Sequence, residues 1–172
     1  MLNSENTAAI DGLIVRAARL EDAEALNAMA NLPNFQHWTQ RLPYGDLRET
    51  RHWLEGERAD APILVALRGT DLLGVSDLRR FTGRRAHVAV LGIGVHDEAV
   101  GQGIGRVLLR EILALGEDWM MLTRIELTVA ADNERAIRLY RAHGFEEEGR
   151  HRQAVFRAGR FVDTLTMARI RP

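Results

Sequence analysis

The sequence predicts a single α/β domain whose centre is a mixed, mostly antiparallel sheet of about seven strands flanked by four helices. Short apolar, β-branched runs alternate with segments of helical periodicity along the whole chain. No linker, internal repeat or low-complexity segment divides the 172 residues, a length that suits one domain with a sizeable core. We expect residues 1–11, which are mostly small and polar, to be a flexible tail and residues 12–172 to form the domain.

The first half of the chain contains a strand, two helices and a hairpin. Acidic residues open the first helix, where the helix dipole favours them, and Asp46 is suited to cap the second. The segment between these helices combines prolines, aromatic residues and a histidine, a composition expected of a lid or a binding wall. In order, the predicted elements are a strand over 12–16, a helix over 21–30, a loop over 31–45, a helix from Asp46 to about Arg58, and hairpin strands over 62–67 and 72–81.

The second half of the chain predicts an interior strand, a core-facing helix, and then a strand, a helix and a hairpin. The core-facing helix carries its apolar residues on one stripe, and Gly144 is suited to end the later helix in a left-handed conformation. In order, the predicted elements are a strand over 86–95, a helix over 103–118, a strand over 124–130, a helix over 133–143, and strands over 145–156 and 160–170.

Composition excludes several classes of protein. The chain has no cysteine and all of its 23 basic residues are arginine, which excludes thiolate nucleophiles, cysteine-ligated metals, Schiff-base lysines and the P-loop. A net charge of −1 is not that of a nucleic-acid-binding protein. No apolar run is long enough for a membrane span and the N-terminus lacks a signal pattern, so we expect a cytoplasmic protein without membrane or nucleic-acid partners.

Three glycines mark a candidate phosphate site. Gly101, Gly103 and Gly105 lie where a loop becomes a helix, so a phosphate could approach free N–H groups at the positive end of the helix dipole. A plain glycine-rich turn is the alternative. The dinucleotide fingerprint G-x-G-x-x-G fails in both frames, because Arg106 and Leu108 occupy the position of the third glycine.

Two motifs carry a resemblance to a known family. Residues 100–105 fit R/Q-x-x-G-x-G/A apart from the first position, and residues 133–145 fit N-x-x-A-x-x-x-Y-x-x-x-G-F. From about residue 13 to residue 170 the chain resembles the GNAT superfamily of acyl-CoA-dependent N-acetyltransferases. The segments RIELTV, DNERAIRLYRAHGFEEEG and GRFVDTLTMARI resemble its bacterial L-amino acid N-acetyltransferases more closely. The resemblance implies the GNAT fold, acetyl-CoA as cosubstrate, no metal and a homodimer.

The resemblance also implies roles for individual residues. Tyr140 would protonate the departing thiolate and the Val95 amide would hold the oxyanion, while a core aromatic and an N-cap are the structural alternatives for Tyr140 and Asn133. Val100 replaces the family's Arg or Gln, so pyrophosphate binding would rest on backbone amides, with Arg106 or Gln102 as substitutes. The cofactor-binding residues implied in this way are Ile93, Val95, Val100, Gly101, Gln102, Gly103, Ile104, Gly105, Arg106, Asn133 and Tyr140.

The expected reaction is direct transfer of acetyl from acetyl-CoA to the primary amine of a small molecule in a ternary complex, with an apolar L-amino acid as the favoured acceptor. A protein N-terminus, a polyamine and an amino-acid-like toxin are the alternatives within the class. A non-catalytic acyl-CoA-binding module and a generic nucleotide-binding domain are alternatives from other classes. The base stays open, with Glu98, His96, Asp77, His87 and His37 as candidates and proton transfer through waters, without a single base, as the alternative that the resemblance implies. The arginine that binds a carboxylate also stays open, with Arg79, Arg80, Arg84 and Arg85 as candidates.

Overall fold

The computed structural model describes residues 10–56 and 61–171. Within them a seven-stranded sheet has the order β1-β2-β3-β4-β5-β7-β6, and every neighbouring pair is antiparallel except β4 and β5. The strands are β1 (Leu13–Ala17), β2 (Ile63–Arg68), β3 (Asp71–Arg80), β4 (Val88–Val95), β5 (Arg124–Ala130), β6 (Glu146–Arg157) and β7 (Arg160–Ile170). The predicted mixed, mostly antiparallel sheet is confirmed. The predicted tail lies outside the described residues except for Ile10 and Asp11.

The described residues form five α-helices, one more than the sequence predicts. They are α1 (Ala23–Ala30), α2 (Pro33–Trp38), α3 (Leu47–Glu55), α4 (Ile104–Ala114) and α5 (Glu134–Arg141). Helix α2 lies inside the segment predicted to be a loop, so that part of the prediction is wrong. Helix α4 ends in a π-helical turn, Leu115–Trp119, and Arg58, the predicted end of α3, lies outside the described residues.

Helices cover both faces of the sheet and hold its central strands between two cores. On one face, α4 and α5 pack against the sheet, with Leu109 and Ile112 fully buried beside Ile125. On the other face, α1, α2 and α3 pack over the first three strands, where Leu54 and Val65 are fully buried. Because apolar contacts fix β3 and β4 from both faces, the strands can position a site at their edge with little movement.

The parallel pair β4 and β5 separates halfway along its length. Pairing covers only Val88 with Arg124, Ala89 with Ile125 and Val90 with Glu126. Beyond this point β4 continues along β3 as far as Val95, and β5 continues along β7 as far as Ala130. A gap therefore opens between the two strands and ends beside the glycine loop.

Candidate active site

The free half of β4 presents peptide groups to this gap. The His96 amide donates to the Leu73 carbonyl at 2.8 Å, which lies on the β3 side of β4. Because peptide groups alternate between the two edges of a strand, those of Ile93 and Val95 point to the opposite edge, where β5 has separated. The gap thus offers donors and acceptors along an extended chain, including the Val95 amide that the sequence predicts as the oxyanion donor.

The glycine loop forms an anion-binding arrangement at the start of α4. Gly101 and Gly103 have φ of +86° and +83°, a left-handed conformation that other residues rarely adopt. In the described parts of the chain no acceptor lies against the amides of Gly101, Gly103, Ile104 and Gly105. A Cβ added at Gly101 would meet nothing within 4 Å, so this side of the loop is open. Free amides at the end of an 11-residue helix suit a phosphate.

The side chains beside the loop distinguish the two predicted substitutes for the missing Arg or Gln. The Gln102 amide is engaged at both ends, because its Nε2 donates to the Glu98 carbonyl at 2.8 Å and its Oε1 accepts from Arg68 at 3.3 Å. Arg106 is exposed and has no partner among the residues described. Val100 is half-buried and carries no polar group. Arg106 is therefore the side chain left free for a phosphate.

Asn133 and Tyr140 both have the structural roles that the sequence offers as alternatives. Asn133 caps α5, since its Oδ1 accepts from the Ala136 amide at 3.2 Å. Tyr140 is buried in the core with its ring 5.7 Å from that of Phe145. Burial raises the pKa of Tyr140 to about 12, and its hydroxyl has no hydrogen-bond partner within the described chain. The phenol is therefore protonated at neutral pH and able to donate.

Helix α2 packs against the free half of β4 on the face of the sheet opposite to α4 and α5. Phe35 lies over Gly94 so closely that a Cβ at Gly94 would come within 2.3 Å of its Cε2 atom. The carboxylate of Asp97, just before the glycine loop, accepts from the Asn34 amide at 2.9 Å and from the Phe35 amide at 3.0 Å. These two bonds connect the candidate cofactor loop to the helix that walls the other side of the gap.

Arg157, which the sequence analysis does not single out, joins the last hairpin to this wall. Its side chain is only 9% exposed. Its Nη1 donates to the His37 carbonyl at 3.2 Å, its Nη2 donates to Asp132 at 2.6 Å, and its guanidinium lies 5.0 Å from the Trp38 ring centre. Only the position of Arg157 next to the Ala158-Gly159 turn could have drawn attention to it in the sequence.

The five candidate bases differ in their exposure and in their hydrogen-bond partners. His87 and Glu98 are exposed. His96 accepts from the Glu98 amide through Nδ1 at 3.3 Å, and His37 makes an edge-on ring contact with the next residue. Asp77 on β3 is largely buried, with a side chain 17% exposed, and no hydrogen bond to it is found in the described residues.

The four candidate arginines also differ in their surroundings. Arg80 donates to the Ala86 carbonyl at 2.5 Å, and Arg85 donates to both oxygens of Glu126 at 3.0 Å. Arg84 is exposed. The Arg79 Nε lies 3.7 Å from an Asp77 oxygen, which makes Arg79 the candidate closest to the buried carboxylate.

The described residues contain no group of three or more histidines and acids arranged to hold a metal ion. No helix among them has the length and apolarity needed to cross a bilayer.

The fold and the site together define an acetyl-CoA-dependent N-acetyltransferase: a separated strand pair with free amides ends at a glycine loop that suits a phosphate. The chain belongs to the family described as "Acetyltransferase (GNAT) family", whose profile matches residues 26–145. This membership confirms the resemblance found in the sequence, the GNAT fold, the enzyme class, and acetyl-CoA as the cosubstrate.

Relatives with curated functions cover most of the chain. It is 33% identical over 164 residues to "L-amino acid N-acetyltransferase AaaT" of Escherichia coli (strain K12), covering 92% of this chain and 98% of that protein. It is 34% identical over 115 residues to "Phosphinothricin N-acetyltransferase" of Alcaligenes faecalis, covering 64% of this chain and 57% of that protein.

Solved structures show the same fold. A ribosomal-protein-alanine N-acetyltransferase from Brucella melitensis superposes with a TM-score of 0.83 at 31% identity, over 91% of this chain and 99% of that one. The putative acetyltransferase yncA from Salmonella typhimurium, solved with acetyl-CoA, gives a TM-score of 0.83 over 93% of this chain and 94% of that one. At 20% identity, the second likeness shows the fold alone.

Proposed function

We propose that this enzyme acetylates the α-amino group of a free L-amino acid with a large apolar side chain, by direct attack of the amine on acetyl-CoA in a ternary complex. The observation that carries the proposal is the gap between β4 and β5, which runs from the glycine loop to a wall containing Phe35 and Trp38. The full-length similarity to a protein named as an L-amino acid N-acetyltransferase favours this acceptor.

The cosubstrate would bind with its pyrophosphate on the amides of Gly101, Gly103, Ile104 and Gly105. Arg106 would add a charge-assisted contact in place of the family's first-position side chain. The pantetheine would lie along the free edge of β4, bonded to the peptide groups of Ile93 and Val95, with the Asn133 side-chain amide on its other side. Each of these assignments follows from a donor that has no partner in the described chain.

The reaction would proceed through one tetrahedral intermediate. The neutral amine attacks the thioester carbonyl, the C–N bond forms, and the Val95 amide donates to the developing oxyanion. The C–S bond then breaks, and the thiolate takes the phenolic proton of Tyr140. The nitrogen loses its excess proton to solvent, and solvent returns a proton to Tyr140. No covalent enzyme intermediate is required, and the chain has no cysteine to form a thioester.

Arg79 is the best-placed side chain to bind the α-carboxylate, because it lies on the acceptor side beside Asp77. A protein N-terminus is the second candidate acceptor, favoured by the 31% identity to the structure named as a ribosomal-protein-alanine N-acetyltransferase. The two differ in one chemical group: a free amino acid has an α-carboxylate where a peptide has an amide.

Thiol release from acetyl-CoA tests the proposal. The assay compares L-phenylalanine and L-methionine with their amides, with spermidine, and with a peptide that begins with alanine. The free acids should be turned over much faster than their amides, and Arg79→Gln should reduce this difference. Equal rates for acid and amide, or activity confined to the peptide or to spermidine, would reject the amino-acid assignment.

We propose that residues 12–172 form one domain after a short tail, since the sheet uses strands from residue 13 to residue 170. A cytoplasmic location follows from the need for acetyl-CoA, and cell fractionation tests it.

A homodimer is supported by Phe156 and Phe161, whose ring centres lie 5.0 Å apart although the two residues are 63% and 62% exposed at the last hairpin. Light scattering at defined concentration tests the dimer.

A further inference from the structure

Two carboxylates face the acceptor side of the sheet close to the gap. Glu126 on β5 pairs with Val90 at the last paired position, and Asp77 on β3 pairs with Gly92 just beyond it. Glu126 is held by two guanidinium groups, since Arg85 donates to both of its oxygens and Arg124 donates to one at 2.7 Å. Its lone pairs are therefore largely occupied.

Asp77 differs from Glu126 in having its oxygens free. Arg79 approaches Asp77 only to 3.7 Å, which is an ion pair without a hydrogen bond. The carboxylate leans over β4, because a Cβ at Gly92 would lie 2.2 Å from its Oδ1 atom. Glycine at position 92 therefore leaves the space that the Asp77 carboxylate occupies. The neighbours of Gly92 on this face of β4 are Val90 and Gly94, and neither is ionisable.

We propose that Asp77 binds the ammonium group of the acceptor and accepts its proton, so that the amine attacks in its neutral form. This inference rests on the proposed function and names the base for that same site. Gly92 lies one residue from Ile93 and three from Val95, roughly 3 and 10 Å along a strand. Asp77 therefore lies beside the part of β4 proposed to hold the thioester, where a base acts within hydrogen-bond reach or through one water. The neighbouring Arg79 would meet the carboxylate of an amino acid while Asp77 meets its ammonium.

The surroundings of Asp77 suit a base. Burial raises the pKa of its carboxyl, whereas the positive charges of Arg79 and Arg41 lower it, and burial is the larger effect. Arg79 faces it from its own strand and Arg41 from the segment after α2, while β4 contributes no ionisable side chain. Across β4, Glu126 is already neutralised by its two arginines. A raised pKa brings the proton affinity of the carboxylate closer to that of an amine.

Each proton that moves in this step has a donor and an acceptor. Asp77 takes one proton from the ammonium, and the neutral amine forms the C–N bond. The nitrogen of the tetrahedral intermediate loses a second proton, which restores the proton that Tyr140 gives to the thiolate as the C–S bond breaks. Asp77 then releases its proton to solvent. The products are the amide, free CoA and one proton.

Asp77→Asn tests the proposal, with Asp71→Asn, an exposed acid on the same strand, as the matched control. With L-phenylalanine at pH 7, Asp77→Asn should lower kcat/KM by roughly 100-fold or more, the range of general-base catalysis. The loss should shrink as pH rises, because solution then supplies the neutral amine. Acetyl-CoA binding, measured by thermal shift, should stay unchanged, and Asp71→Asn should match the wild type.

A second acceptor distinguishes a catalytic role of Asp77 as a base from a purely structural role. The α-aminooxy analogue of phenylalanine has a terminal nitrogen that is far less basic than an alkylamine and is unprotonated at pH 7, so Asp77→Asn should lower its kcat/KM less than tenfold. An equal loss for both acceptors, or wild-type rates for both, would overturn the assignment. If Asp77→Asn does not fold, Asp77→Ser provides the same comparison. Failure of the wild type to acetylate any amine would instead reject the proposed function.

Discussion

Replacing Gly94 by alanine tests how closely α2 packs on the strand that walls the active site. The added Cβ would lie 2.3 Å from Cε2 and 2.4 Å from Cζ of Phe35, whereas ordinary contacts begin near 3.4 Å. The ring would have to retreat by about 1.1 Å, the difference between 3.4 and 2.3 Å. Overpacking of this kind costs about 1–3 kcal/mol, so Gly94→Ala should lower the free energy of unfolding by that amount.

A double-mutant cycle with Phe35→Leu makes this prediction specific. Leucine removes the outer ring atoms that the new methyl group meets, so the double variant should be more stable than the sum of the two losses by about 1 kcal/mol or more. Urea unfolding of the four proteins measures this coupling. Gly149→Ala is the matched control, since a Cβ there meets nothing within 4 Å, and its unfolding free energy should stay within about 0.5 kcal/mol. Additive losses would refute the contact.

Three further variants test other parts of the site. Gly103→Val should weaken CoA binding at least tenfold, whereas Gly105→Ala, whose Cβ would make only ordinary contacts at 3.5 Å, should not. Equal CoA affinities of the two variants would exclude the loop as the pyrophosphate site. Tyr140→Phe should lower kcat by about 100-fold with little change in the KM for acetyl-CoA. The pKa of Tyr140 is raised to about 12 in the folded protein from about 10 when unfolded, so the wild type should also lose stability relative to Tyr140→Phe above pH 10. Asp97→Asn should raise the acceptor KM several-fold while acetyl-CoA affinity holds, because α2 loses a charged partner at its N-terminal amides; a change confined to acetyl-CoA would contradict this link.

The sheet and the cofactor loop could be predicted because their signals are local. Apolar runs bounded by turn residues marked most of the strands, and β5 matches the prediction residue for residue. The sequence predicted a left-handed conformation for Gly144 at the end of a helix, and its φ of +78° confirms this. Asn133 is recognisable as an N-cap in the sequence, and it lies three residues before Ala136, whose amide donates to its side chain.

Helix α2 was missed because what stabilises it lies far away in the chain. Six residues are too few for a periodic pattern, and the two prolines of this segment favoured a loop. The groups that hold the helix are the Asp97 carboxylate at its start and the Arg157 guanidinium near its end, which lie 62 and 120 residues away along the chain. Contacts of this kind arise only from the tertiary fold.

The choice among the candidate bases depended on tertiary structure in the same way. In the sequence Asp77 and Glu98 are both acids near the central strands, and nothing local ranks them. The cross-strand register places Asp77 over Gly92, and the arginines around Glu126 occupy the other carboxylate of this face. These pairings leave Asp77, and not Glu126, as the carboxylate of this face without hydrogen bonds from the described residues.

A crystal structure of the enzyme with CoA and N-acetyl-L-phenylalanine would show where the cofactor and the acceptor bind. The pyrophosphate should accept from the amides of Gly101, Gly103 and Ile104, and the pantetheine should bond to the free edge of β4. The acetamide nitrogen should lie within reach of Asp77, directly or through one water. CoA bound elsewhere would exclude the glycine loop as its site, and an acetamide on the opposite face of the sheet from Asp77 would exclude Asp77 as the base.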